Sequence, residues 1–320
     1  MMAQVSTPER LNNVVQPPAT RSPGRLLRRL GDSPWPWLTP LLAVLAFIFL
    51  YPVIQIIRLS FTSATLIEPD TPYTLHSYQQ VFHSPDFATM VRVTLIFVLV
   101  SVLFQMLLGF IIAQIVTTGQ QRGLRGTVIT RTAVLSAWAI PGVIVGIIWK
   151  LLYQESSAGI LNFLLSPFVH QAIPFVSQPE TALISVTVAN IWRGTAFSMI
   201  LIYAGLQTLP VDVTEAAKVD GANAWQRLFH VTLPQLAPLL MLNLLLILID
   251  TFNTFDMVLA LTGGGPGQST EVIALTIYDQ IFQQLNLGPG AAYAVVLLAV
   301  NLVMTIVYIR LVDRSGQGRA

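Results

Sequence analysis

The sequence predicts an all-α transmembrane protein, a six-helix polytopic bundle with both termini in the cytoplasm. Hydrophobic residues make up 54% of the 320 residues and charged residues only 10%, and the mean hydropathy is +0.67. A soluble domain is about 25% charged, so this chain has too few charges to cover a soluble globule. Six stretches also reach the length of about 20 mostly apolar residues that a membrane helix needs.

The six predicted spans are separated by more polar connections, and they cover approximately residues 37–57, 91–116, 128–152, 181–206, 236–261 and 291–312. A buried helix of a soluble protein can also be apolar all round. Six such helices in succession, with so few charges between them, favour a membrane bundle.

The first 36 residues differ from the rest, because they are polar and broken by prolines. This composition predicts a flexible N-terminal tail, followed by a span domain over 37–312 and a short C-terminal tail over 313–320. No small-residue cleavage site follows the first apolar stretch, which is long enough to span. We therefore expect that stretch to be a retained helix and not a signal peptide.

Lysines and arginines near the span ends predict the orientation. Thirteen of the seventeen fall in the N-terminal tail, in the loops after spans two and four, and in the C-terminal tail. The opposite side has only Arg58, Arg92 and Lys150, each at a span edge, and Arg193 lies within span four. The bias places both termini in the cytoplasm and predicts exterior loops at about 59–90, 153–180 and 262–290.

Residues that would support enzymatic chemistry are missing, so we expect no catalytic residue, no metal site and no cofactor on this chain. Cysteine is absent, and neither Lys150 nor Lys218 follows a glycine, which excludes a Walker A phosphate loop. The four histidines form no HExxH pair, and no G-x-S-x-G elbow occurs. Uphill transport by this chain would need an ion gradient or a partner that hydrolyses ATP.

The loop over 207–235, between spans four and five, predicts two short helices that meet near Gly221. Thr214 is suited to cap the first helix, and Asn223 the second. Gly221 breaks the first helix, while Pro234 and Pro238 are suited to begin the next span. Three small residues leave room for another surface to approach closely: Ala216, Ala217 and Ala222.

This loop resembles the EAA loop of ABC importer permeases. The resemblance depends on Glu215-Ala216-Ala217, Asp220-Gly221-Ala222, Leu233-Pro234 and Pro238. It implies that residues Glu215, Ala216, Ala217, Asp220, Gly221 and Ala222 form a coupling helix that docks in a groove of an ATP-binding subunit. An ordinary amphipathic connector is the alternative.

Further segments resemble carbohydrate importer permeases of the maltose-transporter type, and the resemblance covers roughly residues 40–312. They are Tyr51-Pro52, Leu59–Thr62, Asp250–Asp256 and Leu261–Pro266. The resemblance implies a second six-span permease subunit, two ATP-binding subunits that carry ATP and Mg, an extracytoplasmic sugar-binding protein, and a bacterial or archaeal cytoplasmic membrane. No basic, aromatic-rich run predicts a nucleic-acid partner.

Three ionisable residues lie within predicted spans, namely Arg193, Asp250 and Asp256. Such groups are costly in a membrane and point to a functional site by default. One interpretation is a sugar path, and the other is that Arg193 pairs with Asp250 or Asp256 to lock helix packing. We expect Asn243, Asp250, Thr251 and Thr254 to form a polar stripe along the bundle interior.

The family resemblance adds neighbours of these residues to the predicted path. It implies substrate contacts on span four at Arg193, Gly194 and Phe197, and on span five at Asp250, Thr251, Thr254 and Asp256. The glycine run at Gly263, Gly264, Gly265 and Pro266 cannot continue a helix, and we expect it at the outer mouth of the bundle. A flexible connector is the alternative for that run.

Three other functions remain open at the level of the sequence. The first is an ion-coupled secondary transporter that uses Asp250 or Asp256, although such proteins often show inverted repeats and none is evident here. The second is a permease for anions such as glycerol-3-phosphate, which Arg193 could bind. The third is a membrane scaffold or receptor without transport.

Overall fold

A computed structural model describes residues 35–69, 71–156 and 159–317, with side chains described up to residue 312 except that of Pro36. Nearly all of the predicted N-terminal tail, and the side chains of the C-terminal tail, lie outside the described residues. The described helices, in chain order, are α1 Trp35–Leu45, α2 Tyr51–Ser60, α3 His76–His83, α4 Phe87–Gln121, α5 Thr127–Ala139, α6 Gly142–Leu152, α7 Ile160–Leu165, α8 Pro179–Gln207, α9 Val211–Val219, α10 Ala224–Arg227, α11 Leu233–Phe252, α12 Asp256–Leu261, α13 Ile273–Tyr278 and α14 Leu287–Gln317.

Among these residues the fold is helical, without a β-strand, and it contains five to six candidate membrane spans. Five are single helical segments of sufficient length and apolarity, over Trp37–Ser60, Phe87–Gln121, Pro179–Gln207, Ala224–Phe252 and Leu287–Val312. The sixth consists of α5 and α6, which are bent by 103° relative to each other. Each predicted apolar stretch therefore corresponds to one candidate span.

The prediction of one uninterrupted helix over 128–152 was wrong. The helix α5 ends at Ala139, and Ile140 has an extended backbone with ψ of 129°. The ring of Pro141 disfavours helical geometry at the residue before it, so the chain turns there and α6 begins at Gly142.

The prediction of one helix over 236–261 was also wrong, because α11 ends at Phe252 and α12 begins at Asp256. Side chains just beyond α11 bond back to its carbonyls: Asn253 Nδ2 donates to Ile249 O at 2.6 Å, and Thr254 Oγ1 donates to Asp250 O at 2.9 Å. Side chains of this type compete with the helical pattern and favour its end. The start of this span differs too, since α10 continues into α11 through a π-helical segment at Leu228–Thr232.

Two long spans, α4 and α8, form the best-packed pair. Gln105 Nε2 donates to Asn190 O at 3.1 Å, and a Cβ atom on Gly109 would lie 2.6 Å from Ser198 Cβ. The contacts advance in the same direction along both helices, so the helices are parallel. Small residues at intervals of four let the backbones approach closely, as in many membrane bundles.

The chain divides into two units between Ile54 and Gln55. In the described part of the first unit, α1 and the start of α2 are joined by a π-helical segment at Ala46–Leu50. Its large apolar side chains are exposed, and the rings of Phe47 and Tyr51 stack at 5.7 Å. Exposed apolar side chains all along a helix are typical of a surface that faces lipid.

The predicted exterior loops contain short helices of their own. In the first loop, Ser77 at the start of α3 donates its hydroxyl proton to Thr62 O at 2.5 Å, and Thr62 forms an isolated antiparallel bridge with Tyr73. The second loop contains α7, and the third contains α13. The described parts of these connections therefore contain helical structure of their own.

Candidate translocation site and coupling loop

The breaks in spans three and five lie side by side. The carboxylate of Asp256, the first residue of α12, lies directly against Gly142, the first residue of α6, and leaves no space for a Cβ atom there. One turn further on, a Cβ atom on Gly146 would lie 2.6 Å from Met257 O and 2.7 Å from Ala260 Cβ. The two half-helices are thus in backbone contact through a Gly-x-x-x-Gly pattern. We refer to α6 and α12 together as the paired half-helices.

Asp256 occupies a favourable electrostatic position in this pair. Its Oδ1 accepts a hydrogen bond from Met257 N at 2.8 Å, and the N-terminus of α6 lies beside it. Helix N-termini carry partial positive charge and stabilise nearby carboxylates. This contact gives Asp256 a role in helix packing, whether or not it also contacts a substrate.

The three ionisable residues in the predicted spans lie close enough for electrostatic interaction through Asp250. Asp250 interacts electrostatically with both Arg193 and Asp256. Asp250 is exposed near the end of α11, whereas Arg193 and Asp256 are half-buried. The Nε atom of Arg193 is buried and has no hydrogen-bond partner within the described part of the chain. Arg193 therefore has a buried donor that no described group satisfies in this arrangement of the helices.

The other predicted path residues divide into buried and accessible ones. Gly194 packs against the amide of Gln105, and Thr251 and Thr254 are buried. The ring of Phe197 is partly accessible and lies 5.7 Å from that of Trp138. The expected stripe is not one helical face, because α11 ends before Thr254.

Asn243 is the most unusual of these residues, because it is fully buried and neither of its amide atoms has a hydrogen-bond partner in the described residues. An unsatisfied buried polar group costs about 1–3 kcal/mol. The burial of Asn243 is therefore unfavourable in this arrangement of the helices. In the present arrangement its side chain lies inside the helix packing.

Aromatic rings complete the chemical character of this region. Trp149 and Trp192 meet edge to face at 6.0 Å, and Phe255 stacks on Tyr278 at 5.4 Å. Rings of this kind bind the apolar faces of sugars, while carboxylates, amides and hydroxyls match sugar hydroxyls. The region therefore combines the types of group that a polyhydroxylated ligand requires.

The glycine run after α12 is an ordered turn. Gly263 and Gly264 have φ of +61° and +87°, which favour glycine, and Gly264 lies against the carboxylate of Glu271. Thr270 fastens the turn, since its N–H donates to Gly264 O at 3.1 Å and its hydroxyl donates to Gly265 O at 2.9 Å. This geometry disfavours the alternative of a loose connector.

An acidic cavity of about 210 Å³ lies beside this turn, and the sequence analysis did not identify it. Its walls include Asp86, Glu271, Asp279 and Tyr293. Burial raises the pKa of Glu271, the hydroxyl of Thr276 opposes that rise, and the carboxylates of Asp279 and Asp86 add to it. The contributing residues come from three separate segments, so no local pattern marks the cavity.

The coupling loop, which we define as residues 211–232, folds as two helices around Gly221, as predicted. Gly221 has φ of +80°. Asn223 caps α10 in a reciprocal capping box: its Oδ1 accepts from Gln226 N at 2.9 Å, and Gln226 Oε1 accepts from Asn223 N at 2.8 Å. The predicted cap at Thr214 was wrong, because α9 already begins after Pro210 and Thr214 lies within it.

The coupling loop presents apolar side chains to its surroundings. Val219 is 87% exposed and Trp225 is 70% exposed, and the ring of Trp225 stacks on that of Phe229 at 5.9 Å. Glu215, Ala216, Asp220 and Gly221 are exposed too, whereas Ala217 and Ala222 are half-buried. Val219 lies outside the candidate spans, whereas Trp225 and Phe229 lie within the first two turns of the candidate span Ala224–Phe252. Together they form a patch of exposed large apolar side chains.

The most useful signal that sequence reasoning missed is the Gly142–Gly146 pair. Two glycines four residues apart in an apolar stretch are a known pattern of close helix contact. The pattern does not reveal its partner, however, because α12 lies far away in the sequence. Similarly, nothing in the sequence of span two indicates that Gln105 contacts Asn190 or that Gly109 contacts Ser198.

Comparison with known proteins gives consistent relatives. The trehalose/maltose transport system permease protein MalF of Thermococcus litoralis is 33% identical over 85% of this chain and 90% of its own length. The trehalose transport system permease protein SugA of Mycobacterium tuberculosis is 31% identical over 84% of each chain. The sn-glycerol-3-phosphate transport system permease protein UgpA of Brucella abortus is 28% identical over 88% of this chain and 94% of its own length.

A solved structure shares the fold. It is the crystal structure of a bacterial ABC transporter that imports the acidic polysaccharide alginate, and one of its chains matches 91% of this chain and 99% of its own length, with a TM-score of 0.77 and 23% identity. Residues 105–316 match the family model described as binding-protein-dependent transport system inner membrane component. The chain therefore belongs to this family, the membrane-spanning permease subunits of binding-protein-dependent ABC transporters.

Proposed function

We propose that this chain forms half of the translocation path of an ATP-driven importer whose cargo is a di- or oligosaccharide. The observation that carries the proposal is the exposed coupling loop, in which Val219 projects outside the candidate spans and Trp225 and Phe229 are exposed at the start of the next one. The carbohydrate class is supported by the relatives named for trehalose and maltose. The importing direction is supported by the binding-protein-dependent family and by the alginate importer fold.

The partners follow from the same surfaces. Two ATP-binding subunits carry ATP and Mg, and one of them receives the coupling loop around Glu215 and Gly221. A second six-span permease supplies the other half of the path. A sugar-binding protein on the opposite side delivers the cargo near the turn at Gly263–Pro266. No nucleic acid takes part, and the assembly lies in a bacterial or archaeal cytoplasmic membrane with the coupling loop and both termini in the cytoplasm.

The path residues lie around the paired half-helices. The half-buried guanidinium of Arg193 and the accessible carboxylate of Asp250 bind sugar hydroxyls, and the partly accessible ring of Phe197 stacks on a sugar face. Gly194, Asn243, Thr251 and Thr254 contribute indirectly while they are buried in the helix packing. Closure of the ATPase dimer moves the coupling loop, and the cavity changes its access from one side of the membrane to the other.

The coupling step can be tested with one charged substitution and a matched control. Val219→Asp places a charge on the most exposed apolar residue of the coupling loop, and Leu124→Asp does the same in the loop between α4 and α5, where Leu124 is 59% exposed. In vesicles that contain the complete transporter, Val219→Asp should abolish ATP-dependent uptake and the stimulation of ATPase activity by loaded binding protein. Leu124→Asp should retain both. Full uptake by the Val219 variant would refute the coupling role.

The substrate class requires a separate experiment. The partner binding protein should show a thermal shift with trehalose or maltose, and the same sugar should enter vesicles that contain ATP. A thermal shift with glycerol-3-phosphate alone would show that the substrate is an anion and not a sugar. Collapse of the proton gradient at constant ATP should leave uptake unchanged, whereas loss of uptake would identify an ion-coupled transporter.

A further inference from the structure

A short segment between spans three and four presents an apolar surface outside the spans. We define it as residues 160–169, which contain α7. Phe163 is 66% exposed and Phe168 is 82% exposed, and Ile160 and Leu164 are exposed beside them. The opposite side of α7 is packed inward, since Asn162 is buried and Leu161 contacts the main hydrophobic core. The inner side of the segment is therefore packed on the chain, and its outer face consists of large apolar side chains.

The segment is attached to the chain on both sides of it through one buried residue, Asn162. Asn162 Nδ2 donates to Gln154 O at 3.3 Å and to Ile173 O at 3.2 Å, and Asn162 Oδ1 accepts from Ile173 N at 2.8 Å. These bonds tie α7 to the chain that leaves α6 and to the chain that approaches α8. The exposed phenylalanines are thus held outward by an ordered framework.

Glu155 and the start of α8 complete the framework. Glu155 Oε1 accepts hydrogen bonds from Val176 N at 2.6 Å and from Ser177 N at 2.7 Å. Burial alone would raise the pKa of Glu155, but these hydrogen bonds outweigh burial and hold the pKa below its usual value. Ser185, in the second turn of α8, donates its hydroxyl proton to Phe175 O at 2.9 Å.

The attachment points determine the depth of the segment in the membrane. It connects the end of α6 at Leu152 to the start of α8 at Pro179. The other end of α8 leads into the coupling loop after 29 residues, which corresponds to about 44 Å of helix. A bilayer with its headgroups is about 40–45 Å thick. The segment therefore lies at the membrane boundary opposite the coupling loop.

The surroundings of the segment favour lipid as its partner. Residues 156–179 contain no Asp, Glu, Lys or Arg, with His170 as the one titratable side chain. The exposed face of α6, with Ile147, Ile148 and Leu151, leads along the chain towards the exposed face of α7. A soluble partner would need polar groups at the rim of its interface, whereas lipid tails need none. Phe and Leu on one face are typical of interfacial helices.

We propose that residues 160–169 insert Phe163, Leu164 and Phe168 into the interfacial region of the bilayer and anchor this end of the transporter to the lipid surface. The inference uses only the membrane-spanning fold and the framework around α7, so it does not depend on the identity of the cargo. The anchor fixes the outer ends of α6 and α8 relative to the bilayer.

The absence of cysteine makes a labelling experiment direct. A nitroxide spin label is attached to single cysteines introduced as Phe163→Cys, Leu164→Cys and Phe168→Cys, with Gln171→Cys as the control in the polar end of the same connection. Each variant is reconstituted with its partner subunits into phosphatidylcholine and phosphatidylglycerol vesicles. We expect the three apolar sites to be at least about threefold more accessible to oxygen than to a water-soluble nickel chelate, because oxygen concentrates in lipid and the chelate does not. The control should show the reverse order.

Each alternative occupant of this surface has its own signature. Equal chelate accessibility at Phe163, Phe168 and Gln171 would show a surface in water and would overturn the proposal. Low accessibility to both reagents would show that another permease subunit covers the segment. Chelate accessibility that disappears after the binding protein is added would assign the surface to that protein. Loss of transport function has no bearing on any of these outcomes.

Discussion

The paired half-helices and the coupling loop are both places where a helix is interrupted next to a glycine, but their environments are opposite. Gly142 and Gly146 are buried, and added Cβ atoms there would collide with α12. Gly221 has open space around it, and its neighbours Val219 and Trp225 face outward. In the first region glycine permits close packing, whereas in the second it permits a turn of the backbone.

This contrast indicates which part of the molecule determines stability and which part transmits motion. The paired half-helices depend on contacts within the chain, so substitutions there should act on folding. The coupling loop contributes little to the packing of its own chain. Substitutions there should therefore affect binding and coupling to a partner subunit. The following experiments test this separation, in order of decreasing effect on the free energy of unfolding.

The largest effect is expected from Gly146→Ala. The new methyl group would lie 2.6 Å from Met257 O and 2.7 Å from Ala260 Cβ, and a backbone atom cannot rotate away. Overpacking of this kind costs about 3 kcal/mol. The thermal midpoint of the purified complex in detergent should fall clearly. Gly126→Ala is the control, because nothing lies within 4 Å of its added Cβ atom. Similar midpoints for both variants would contradict the close contact between α6 and α12.

The coupling loop was easier to predict from the sequence than the paired half-helices. The spans and the coupling loop depend on local signals, such as the length of the apolar runs, Gly221 and the cap at Asn223. The break at Pro141 was missed because hydropathy continues across it, although Pro141 was a local warning. The break at Asn253 was missed because the polar run Asp250–Asp256 was interpreted as part of the substrate path and not as the end of a helix. The contact between Gly142 and Asp256 is non-local, so no single stretch of sequence contains it.

The candidate path shows the same limit. Arg193, Asp250 and Asp256 were identified because ionisable residues stand out in apolar spans, and the electrostatic connection among them is consistent with that reasoning. The directions in which these side chains point could not be predicted correctly. The prediction assumed one continuous helix up to Leu261, whereas α11 ends at Phe252. The structure instead exposes Asp250 and buries Asn243.

A smaller loss of stability is expected from Gly221→Ala. Space is not limiting here, so the cost comes only from φ of +80°, which amounts to about 1 kcal/mol for alanine. The substitution adds the same methyl group as Gly146→Ala. The ratio of the two losses of stability therefore compares the cost of overpacking with the cost of backbone strain. The midpoint should fall by about a third as much. A drop as large as that of the Gly146 variant would show that the coupling loop is packed after all.

A pH-dependent effect is expected beside the paired half-helices, at Glu271. Its pKa is raised by burial, so the folded state binds a proton more tightly than the unfolded state does. This stabilisation is complete below the unfolded pKa of about 4.3 and is lost as the pH rises through the higher folded value. The midpoint of the wild-type complex should therefore decline from pH 5 to pH 8, and Glu271→Gln should flatten that decline. An equally steep decline in the variant would show that other groups cause the pH dependence. Asp279 would then be the first candidate, because burial also raises its pKa.

The smallest effect on stability should coincide with a large effect on function in Trp225→Ser. The indole is 70% exposed and stacks on Phe229, which is itself exposed, so its removal should change the free energy of unfolding by less than about 1 kcal/mol. An exposed aromatic anchor commonly dominates binding to a partner, and its loss costs about 2 kcal/mol or more of interaction energy. ATP-dependent uptake and co-purification with the ATP-binding subunits should therefore fall at least about tenfold at an unchanged thermal midpoint, with Leu124→Ser as the control that retains both. A fall in the midpoint with retained co-purification would reverse the assignment and place Trp225 in the packing of this chain.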